Sequence, residues 1–352
     1  MAEIPEIGKI SAAIFDELIL PNLGAGSDSV LVGPHHGVDT GVVKMGGQAV
    51  SFTTDPVFIV PEYGWERAAW FAIHILVSDS VTSGLKPKYM SIDLNLPMEI
   101  TKEQLDVMWR TMHSEMKKMA ITVICGHTAR YDNCHYPMVG GATVIGVGGL
   151  EEYVSPKFAK AGDKIVITKG PAIEAVGIFA AMFPGLIEKE FGADFARRAD
   201  GIFHKMSVVE DAMTAVSVGV RDNGVVAMHD ATEGGIWGGL YELAEAAGTG
   251  VRVLQEDIVV EECVPEICRY FNIDPYASIS EGTLIAICRP HKAVEIVEAL
   301  MAKDIKASVV GELTAPEKGM VLVKEGAEGE LKHPIVDPFW RAFYNALEKH
   351  AS

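Results

Sequence analysis

The feature that most constrains the fold is the alternation of short apolar strands with helices, which occurs in two successive series. The first series has the order strand, helix, strand, helix, strand, strand and ends near Leu150. The second starts at the strand "DKIVITKG" and ends at the strand "KASVVGEL". Such alternation is typical of α+β or α/β units. We therefore predict two domains, residues 1–150 and 160–345, on either side of a boundary between Gly149 and Asp163.

The clearest single element is the segment "TKEQLDVMWRTMHSEMKKMA". Its apolar residues recur at helical spacing, which predicts an amphipathic helix packed on a core. Thr101 is suited to cap the helix N-terminus, and Gln104 stands three residues later. Together these two residues predict a capping box.

Composition excludes some classes of function. The 352-residue chain carries a net charge of −18, which disfavours general nucleic-acid binding but leaves room for a nucleotide neutralised locally by Mg²⁺. The sequence has no run of about 18 apolar residues, so no membrane span is predicted. Five cysteines without a C-x-x-C pair are typical of reduced thiols. With no signal-type N-terminus, these features predict a cytoplasmic protein.

Three aspartates stand beside apolar runs in the first series. Asp39 precedes the pair Val42–Val43, Asp55 follows a strand that we expect Pro56 to end, and Asp79 interrupts an apolar helix. One such aspartate alone is more often a cap or a turn residue. Carboxylates from several elements are, however, what a magnesium–nucleotide site requires. The sequence does not show whether the three side chains converge.

The stretch "CGHTARY" follows a strand that reads as buried, and we expect a loop there. In such a loop, the backbone amides of Gly126, His127 and Thr128 could hold phosphate oxygens. His127 could be a metal ligand, an acid or base, or a phosphate contact. The alternative is a hydrogen-bonded loop histidine.

The densest motif is "MHDATEGGIWGGLYELAE". Asp230 ends a predicted strand, Thr232 and Glu233 follow it, and Gly234–Gly235 open a helix that we expect to end at Gly248. A helix N-terminus flanked by glycines lets a backbone approach an anion closely. The alternative is ordinary helix capping by Thr232 or Asp230, and both roles can hold together.

Five motifs in this order resemble the aminoimidazole-ribonucleotide (AIR) synthase superfamily, and most closely its hydrogenase-maturation branch, HypE. The resemblance covers nearly the whole chain. The segments that carry it are "GPHHGVDTGVV", "FTTDPV", "LVSDSVTSGLKPKYMSIDLNLP", "CGHT" and "MHDATEGGIWGGLYELAE".

The resemblance implies an α+β, two-domain AIR synthase-like fold, with a mixed α/β N-terminal domain that dimerises through its sheet and an α/β C-terminal domain. It also implies ATP and Mg²⁺ as cofactors, with the nucleotide near the dimer interface and the cleft between domains. The implied metal ligands are Asp39, Asp55 and Asp79. The implied nucleotide contacts are Gly126, His127, Thr128, Thr54, Thr232, Gly234 and Gly235. The implied catalytic residues are Asp230, Glu233 and His127.

Two departures from the family pattern concern the substrate. HypE carries its substrate on a C-terminal cysteine, whereas this chain has no cysteine after Cys288. Val38 and His127 stand where carboxylates are common in the family. Three readings follow: an ATP-dependent HypE-like enzyme that activates an oxygen of a small substrate or carrier, a kinase of a small phosphorylated metabolite, and a non-catalytic nucleotide-binding scaffold with a maturation-protein partner.

Overall fold

The structure is a computed structural model in which residues 10 and 12–350 are described. The two-domain α+β fold predicted from the sequence is confirmed. Each domain has its own mixed sheet, and the strand order of each sheet departs from the sequence order. Among the described residues, no helix is long and apolar enough to cross a membrane.

The first domain is built on a six-stranded sheet in the order β1-β2-β3-β6-β4-β5, counted over the described residues. Neighbouring strands are antiparallel except β4 and β5, which are parallel. The strands are β1 (Val30–Val32), β2 (Gly41–Met45), β3 (Gln48–Phe58), β4 (Pro87–Leu96), β5 (Thr122–Arg130) and β6 (Met138–Gly149). The helices are α1 (Ala12–Ile14), α2 (Trp65–Val81) and α3 (Lys102–Lys118).

The second domain has a seven-stranded sheet, over the same described range, in the order β13-β12-β9-β11-β7-β10-β8. Its strands are β7 (Lys164–Thr168), β8 (Val225–Asp230), β9 (Gly250–Leu254), β10 (Leu284–Cys288), β11 (Ala307–Thr314), β12 (Met320–Lys324) and β13 (Ala327–Glu330). Its helices are α4 (Ile173–Met182), α5 (Pro184–Phe191), α6 (Ala193–Gly201), α7 (Val209–Val218), α8 (Gly235–Ala247), α9 (Val264–Phe271), α10 (Ala293–Met301) and α11 (Pro338–His350).

Helix α3 forms as the sequence predicts. The Thr101 hydroxyl accepts a hydrogen bond from the Gln104 amide at 3.2 Å, and the Thr101 amide donates to the Gln104 side chain at 2.9 Å. These two bonds satisfy donors that a helix N-terminus otherwise leaves unpaired. The predicted capping box is therefore confirmed.

The two faces of the first sheet differ. Along β4, Met90, Ile92 and Leu94 are buried in a core that they share with α2 and α3, whereas Ser91 and Asp93 between them are half-buried. This period of two follows from the pleat of a strand. One face of the sheet therefore packs on the helices, and we call the opposite one the outer face.

Two predicted strand ends are wrong. Strand β3 continues past Asp55 to Phe58, because Pro56 lies opposite Gly141 at a point where the register shifts and the ladder resumes beyond it. Strand β5 does not turn into a loop at Gly126. It continues to Arg130, because β5 pairs with β4 in parallel from Thr122 to Arg130.

The domains are joined by polar contacts that the sequence does not reveal. Arg67 on α2 forms two hydrogen bonds with Asp200 on α6, at 2.8 and 2.9 Å. The Ser78 hydroxyl accepts a hydrogen bond from the Val208 amide at 3.0 Å. Gly37 lies so close to α8 that a Cβ atom there would be 2.4 Å from the Glu242 carbonyl oxygen. These contacts bring the loop before β2 and the end of α2 against the second domain.

Candidate functional site

Four aspartates from different elements meet where the domains join. Asp39 lies in the loop before β2, Asp55 in β3, Asp79 near the end of α2, and Asp230 at the last position of β8. Asp230 is fully buried, and the other three are partly buried. We call these four residues the carboxylate cluster. The first three come from the first domain and the fourth from the second.

Burial and electrostatic repulsion both act on the carboxylate cluster. The pKa of Asp79 is raised well above its ordinary value, first by desolvation and then by the negative charges of Asp230, Asp55 and Asp39. A side-chain hydrogen bond with Asp55 acts in the same direction. Neighbouring carboxylates raise one another's pKa values because the second charge is costly beside the first. The cluster thus favours any cation that can bind between its oxygens.

His229 connects the cluster to the second domain. Its Nδ1 atom lies 2.8 Å from Asp39 Oδ2, and its Nε2 atom lies 3.2 Å from Glu242 Oε2 on α8. The other Glu242 oxygen, Oε1, lies 3.0 Å from Nε2 of His333. Burial lowers the pKa of His229, but Asp39 and Glu242 outweigh that effect and raise it well above the ordinary value. His229 is therefore an imidazolium that donates to both carboxylates.

The donor atoms suit a hard divalent cation. One donor atom each from Asp39, His229 and Asp230 lies within 4.8 Å of the others. Because both nitrogens of His229 face carboxylates, the histidine orients Asp39 and does not itself offer a lone pair. The remaining donors are carboxylate oxygens, which are the ligands that Mg²⁺ prefers. The residues present therefore fit a magnesium ion.

A second acidic group adjoins Asp230 on the side of the second domain. Burial, then Asp230 and Glu174, raise the pKa of Glu281 well above its ordinary value. Burial also raises the pKa of Glu174 to about 8 and that of Asp337 to about 6. The Glu281 amide donates to Glu174 Oε2 at 3.0 Å, which fixes the two side by side. We call Glu174, Glu233, Glu281 and Asp337 the acidic rim.

The predicted turn before α8 forms with a close backbone approach. Gly234 and Gly235 both have positive φ, at +78° and +58°. A Cβ atom on Gly235 would lie 2.5 Å from the Ser278 carbonyl oxygen, so only glycine fits there. The Gly234 amide donates to Asp337 Oδ2 at 2.8 Å, and the Gly235 amide donates to the Thr232 carbonyl at 3.0 Å. The carboxylate of Asp337 thus occupies the helix N-terminus.

Glu233 lies in the same turn and is partly buried. Its Oε1 atom accepts a hydrogen bond from the Trp340 indole at 3.2 Å. Trp340 belongs to α11, so the C-terminal helix of the described chain helps to position the acidic rim. Asp230 and Glu233, implied as catalytic residues, and Thr232, implied as a nucleotide contact, all lie at the end of β8 and in the turn that follows it.

Other predicted site residues lie apart from the carboxylate cluster. Thr54 points to the outer face, where its hydroxyl lies 2.8 Å from that of Thr143. Gly126, His127 and Thr128 lie in the middle of edge strand β5 and are exposed. His127 Nε2 lies 3.0 Å from the Tyr131 hydroxyl. Since β4 and β6 separate β5 from β3, Gly126 is roughly 14 Å from Asp55.

Several residues of the site escaped the sequence analysis. His229 and Glu242 lie inside the "MHDATEGGIWGGLYELAE" motif without being singled out, Glu281 lies outside the motifs, and each gains its place through contacts distant in sequence. One signal was available for His229, because it directly precedes Asp230 at the end of the same strand. A weaker signal was available for Glu281. The segment "SEGT" before β10 resembles the segment "TEGG" at the start of α8, because each has a hydroxyl residue, a glutamate and a glycine in the same order.

Two family models match the chain, one on each domain. Residues 37–148 match the N-terminal domain of AIR synthase related proteins, and residues 160–324 match the C-terminal domain. Asp39, Asp55 and Asp79 lie within the first match, and Asp230 and the residues Glu174, Glu233 and Glu281 of the rim lie within the second.

Curated relatives align over most of the chain at low identity. A putative hydrogenase expression/formation protein of Methanocaldococcus jannaschii is 23% identical over 338 residues, which are 95% of this chain and 96% of the relative. Carbamoyl dehydratase HypE of Azotobacter vinelandii is 26% identical over 254 residues, which are 71% of this chain and 70% of the relative.

Solved structures share the fold. The hydrogenase maturation protein HypE in complex with ATP matches with a TM-score of 0.67 at 21% identity, over 93% of each chain. HypE in the HypE–HypF complex matches with a TM-score of 0.66 at 21% identity, over 83% of this chain and 93% of the other. ThiL complexed with AMPPCP and TMP matches with a TM-score of 0.66 at 18% identity, over 84% and 90%.

Proposed function

Because this chain belongs to the AIR synthase related protein family, we propose that its carboxylate cluster holds Mg²⁺ against the phosphates of ATP. The enzyme would use that ATP, in the cytoplasm, to activate an oxygen atom of a small substrate or carrier, as HypE-like proteins do. The single observation that carries this proposal is the convergence of Asp39, Asp55, Asp79 and Asp230 from both domains.

The first argument is electrostatic. Asp39, Asp55 and Asp230 raise the pKa of Asp79, so the four carboxylates are costly to keep together without a cation. A divalent ion bound through several carboxylate oxygens, with waters and phosphate oxygens completing the octahedron, would remove that cost. The positive charge of buried His229 offsets only part of the negative charge of the cluster, because His229 bonds to Glu242 as well as to Asp39.

The second argument comes from the relatives. A HypE of the same fold has been solved with ATP, and a ThiL of the same fold with AMPPCP and TMP. ATP and AMPPCP are a nucleotide and a nucleotide analogue with a chain of phosphates, which supports a triphosphate as the ligand of this chain. The named activity of several curated relatives, carbamoyl dehydratase, supports the HypE-like reading.

Bound Mg²⁺ would neutralise the charge that develops on the phosphoryl oxygens. The chain's own residues supply the acid–base groups around it. Glu174, with a pKa of about 8, holds a proton at neutral pH, whereas Asp337, with a pKa of about 6, is largely ionised there. Groups with pKa values near the working pH are suited to accept or return the proton of an attacking oxygen. Glu233 of this rim and the adjoining Asp230 would orient the substrate.

The outer face of the first sheet supports a homodimer within the same proposal. Tyr89 and Ile124 on this side are 41% and 54% exposed, and Phe52 and Ile145 are half-buried. Contiguous exposed apolar patches of this kind mark protein–protein interfaces more often than they stay exposed to solvent. A dimer through this face would place the strand residues Gly126, His127 and Thr128 near the partner chain.

We expect light scattering at micromolar protein concentration to give twice the chain mass of 37.9 kDa. Replacing Ile124 with aspartate would place a charge on the apolar outer face and is expected to shift the mass toward that of a monomer. The matched control is Ile335→Asp, since Ile335 is 98% exposed and lies outside this face. A monomeric wild-type protein would contradict the dimer.

ATP turnover separates the proposed enzyme from the alternatives. We expect slow Mg²⁺-dependent release of ADP or AMP by the purified protein, accelerated by its substrate. Acceleration by a HypF-type maturation partner would support the HypE-like reading, in line with the solved HypE–HypF complex. Acceleration by a small phosphate ester would favour the kinase reading, in line with ThiL and TMP. Binding without any turnover would favour a non-catalytic scaffold.

A further inference from the structure

A cavity of about 560 Å³ lies between the domains, and no residue of the carboxylate cluster lines it. On α2 it is lined by Trp70, His74 and Val77. Asp79 is five residues beyond His74, which places it roughly 140° further around the helix. The cavity is therefore separate from the proposed nucleotide site. Its remaining wall includes the end of α3 and the start of α7.

Three side chains of this region form a hydrogen-bonded chain. Ser207 Oγ lies 2.8 Å from His74 Nδ1, and His74 Nε2 lies 3.4 Å from Glu115 Oε2. A carboxylate can only accept, so the proton of the neutral imidazole sits on Nε2. Nδ1 is then an acceptor, and the Ser207 hydroxyl donates to it. This is the arrangement of nucleophile, base and orienting acid found in serine acyltransferases and hydrolases, with the ring nitrogens exchanged.

The base is held rigidly and remains neutral. The His74 ring stacks on Trp70 with centroids 4.1 Å apart. Desolvation, helped by the charges of Lys118 and His204, lowers the pKa of His74 to about 4 despite the opposing effect of Glu115. Lys118 bonds to the second Glu115 oxygen at 2.7 Å and keeps the pKa of that carboxyl low. At neutral pH the imidazole is therefore unprotonated, although it is a weaker base than a free histidine.

Donors for a developing oxyanion lie beside the hydroxyl. Ser207 stands two residues before α7, a helix of 10 residues. The first-turn amides of a helix lack partners within the helix and carry partial positive charge. The Val209 amide donates to Ser207 Oγ itself at 3.4 Å and the Val208 amide donates to Ser78, so a developing oxyanion would have to be met by the next amides of the turn, those of Glu210 and Asp211. The ammonium group of Lys169 lies 2.6 Å from the Ser207 carbonyl and is paired at 3.0 Å with Asp211 in the first turn of α7.

We propose that Ser207, His74 and Glu115 form a second reactive site, which takes small carboxylic esters that fit the interdomain cavity. In the acylation step, Ser207 Oγ bonds to the ester carbonyl carbon while its proton passes to His74 Nδ1. The carbon–alkoxide bond then breaks, and the leaving alcohol takes the proton from His74. Water hydrolyses the acyl-serine by the reverse proton path, which restores the hydroxyl and releases the acid. No metal, nucleotide or redox partner is needed.

The test is covalent labelling of the full-length protein with an alkyl fluorophosphonate at neutral pH, in EDTA and without ATP. The reagent forms a phosphorus–oxygen bond to an activated serine and loses fluoride. We expect one adduct per chain, mapped by mass spectrometry to Ser207. Ser207→Ala is expected to abolish the adduct, and His74→Asn to slow its formation at least about tenfold. Ser217 is exposed on α7, and its hydroxyl donates to the Thr214 carbonyl. We expect Ser217 to stay unmodified.

The contact between Ser207 and His74 also joins the two domains. A purely structural role and a reactive role for Ser207 predict different results in this test. A purely structural Ser207 would remain unlabelled in wild-type protein while a known serine hydrolase in the same tube reacts, and that result would overturn the proposal. Equal labelling rates in wild type and His74→Asn would overturn it as well. Because labelling is read in wild-type protein first, poor folding of a variant cannot obscure the outcome. Loss of Mg²⁺–ATP binding, measured separately, would leave the result unaffected.

Discussion

Asp79→Asn is expected to abolish Mg²⁺-dependent ATP binding while leaving the fold intact. The substitution keeps the size of the side chain but removes one of the carboxylates that meet between the domains. An amide is a weaker ligand for a hard cation than a carboxylate. We expect calorimetry to show a loss in affinity of about 100-fold or more, which corresponds to about 2.8 kcal/mol. Asp55→Asn is expected to behave in the same way.

The same variant has a second, opposite effect that distinguishes ligand loss from misfolding. A carboxyl whose pKa is raised on folding supports the folded state at low pH, and that support is lost as pH rises through the folded-state pKa. In EDTA at a pH above the folded-state pKa of Asp79, Asp79→Asn removes an unfavourable charge, so its melting temperature should equal or exceed that of the wild type. Asp106→Asn is the matched control, since Asp106 is exposed on α3 and pairs with Arg110 on the same helix. Unchanged ATP affinity in both Asp79→Asn and Asp55→Asn would exclude these residues as metal ligands.

Gly235→Ala is expected to cause a large loss of stability. The residue has φ of +58°, and the added methyl group would lie 2.5 Å from the Ser278 carbonyl and 2.8 Å from that of Tyr276. A left-handed conformation costs a non-glycine residue about 1–2 kcal/mol. Displacing two backbone carbonyls from a close-packed region adds to that, for a total of about 4 kcal/mol or more. Denaturant unfolding measures the change.

The other end of α8 provides the control. Gly248 has φ of +65°, but nothing lies within 4 Å of the position that a Cβ atom would take. Gly248→Ala should therefore cost only the left-handed strain, about 1–2 kcal/mol. If the two variants lose equal stability, the close approach of α8 to the Ser278 loop does not contribute, and the packing proposed around Gly235 is wrong.

The parts of the fold that depend on nearby residues could be predicted from the sequence. The capping box of Thr101 and Gln104 is a local motif, and the end of α8 at Gly248 is set by one glycine. The length of β5 could not be predicted, because glycine and polar residues in "CGHTAR" resemble a loop until the partner strand β4 is known. Edge-strand pairing is a tertiary effect that outweighs local propensity.

The candidate site divides along the same line. The aspartates were visible because a carboxylate beside an apolar run is unusual in a single sequence. Their convergence, and the roles of His229, Glu242 and Glu281, depend on contacts such as that of Asp39 with a histidine 190 residues away. No spacing rule reaches so far along a chain. The residues of "CGHT" were expected beside the phosphates on the strength of a loop, and the structure puts them on an exposed edge strand.

The measurement that tests the magnesium–nucleotide site most directly is calorimetric titration of the wild-type protein with ATP, first with Mg²⁺ and then with EDTA. We expect saturable binding with Mg²⁺ at no more than one ATP per chain, and no measurable binding in EDTA, because the four carboxylates repel an unneutralised triphosphate. Equal ATP affinity in Mg²⁺ and in EDTA, or no binding in either, would contradict the assignment of the carboxylate cluster as the metal site.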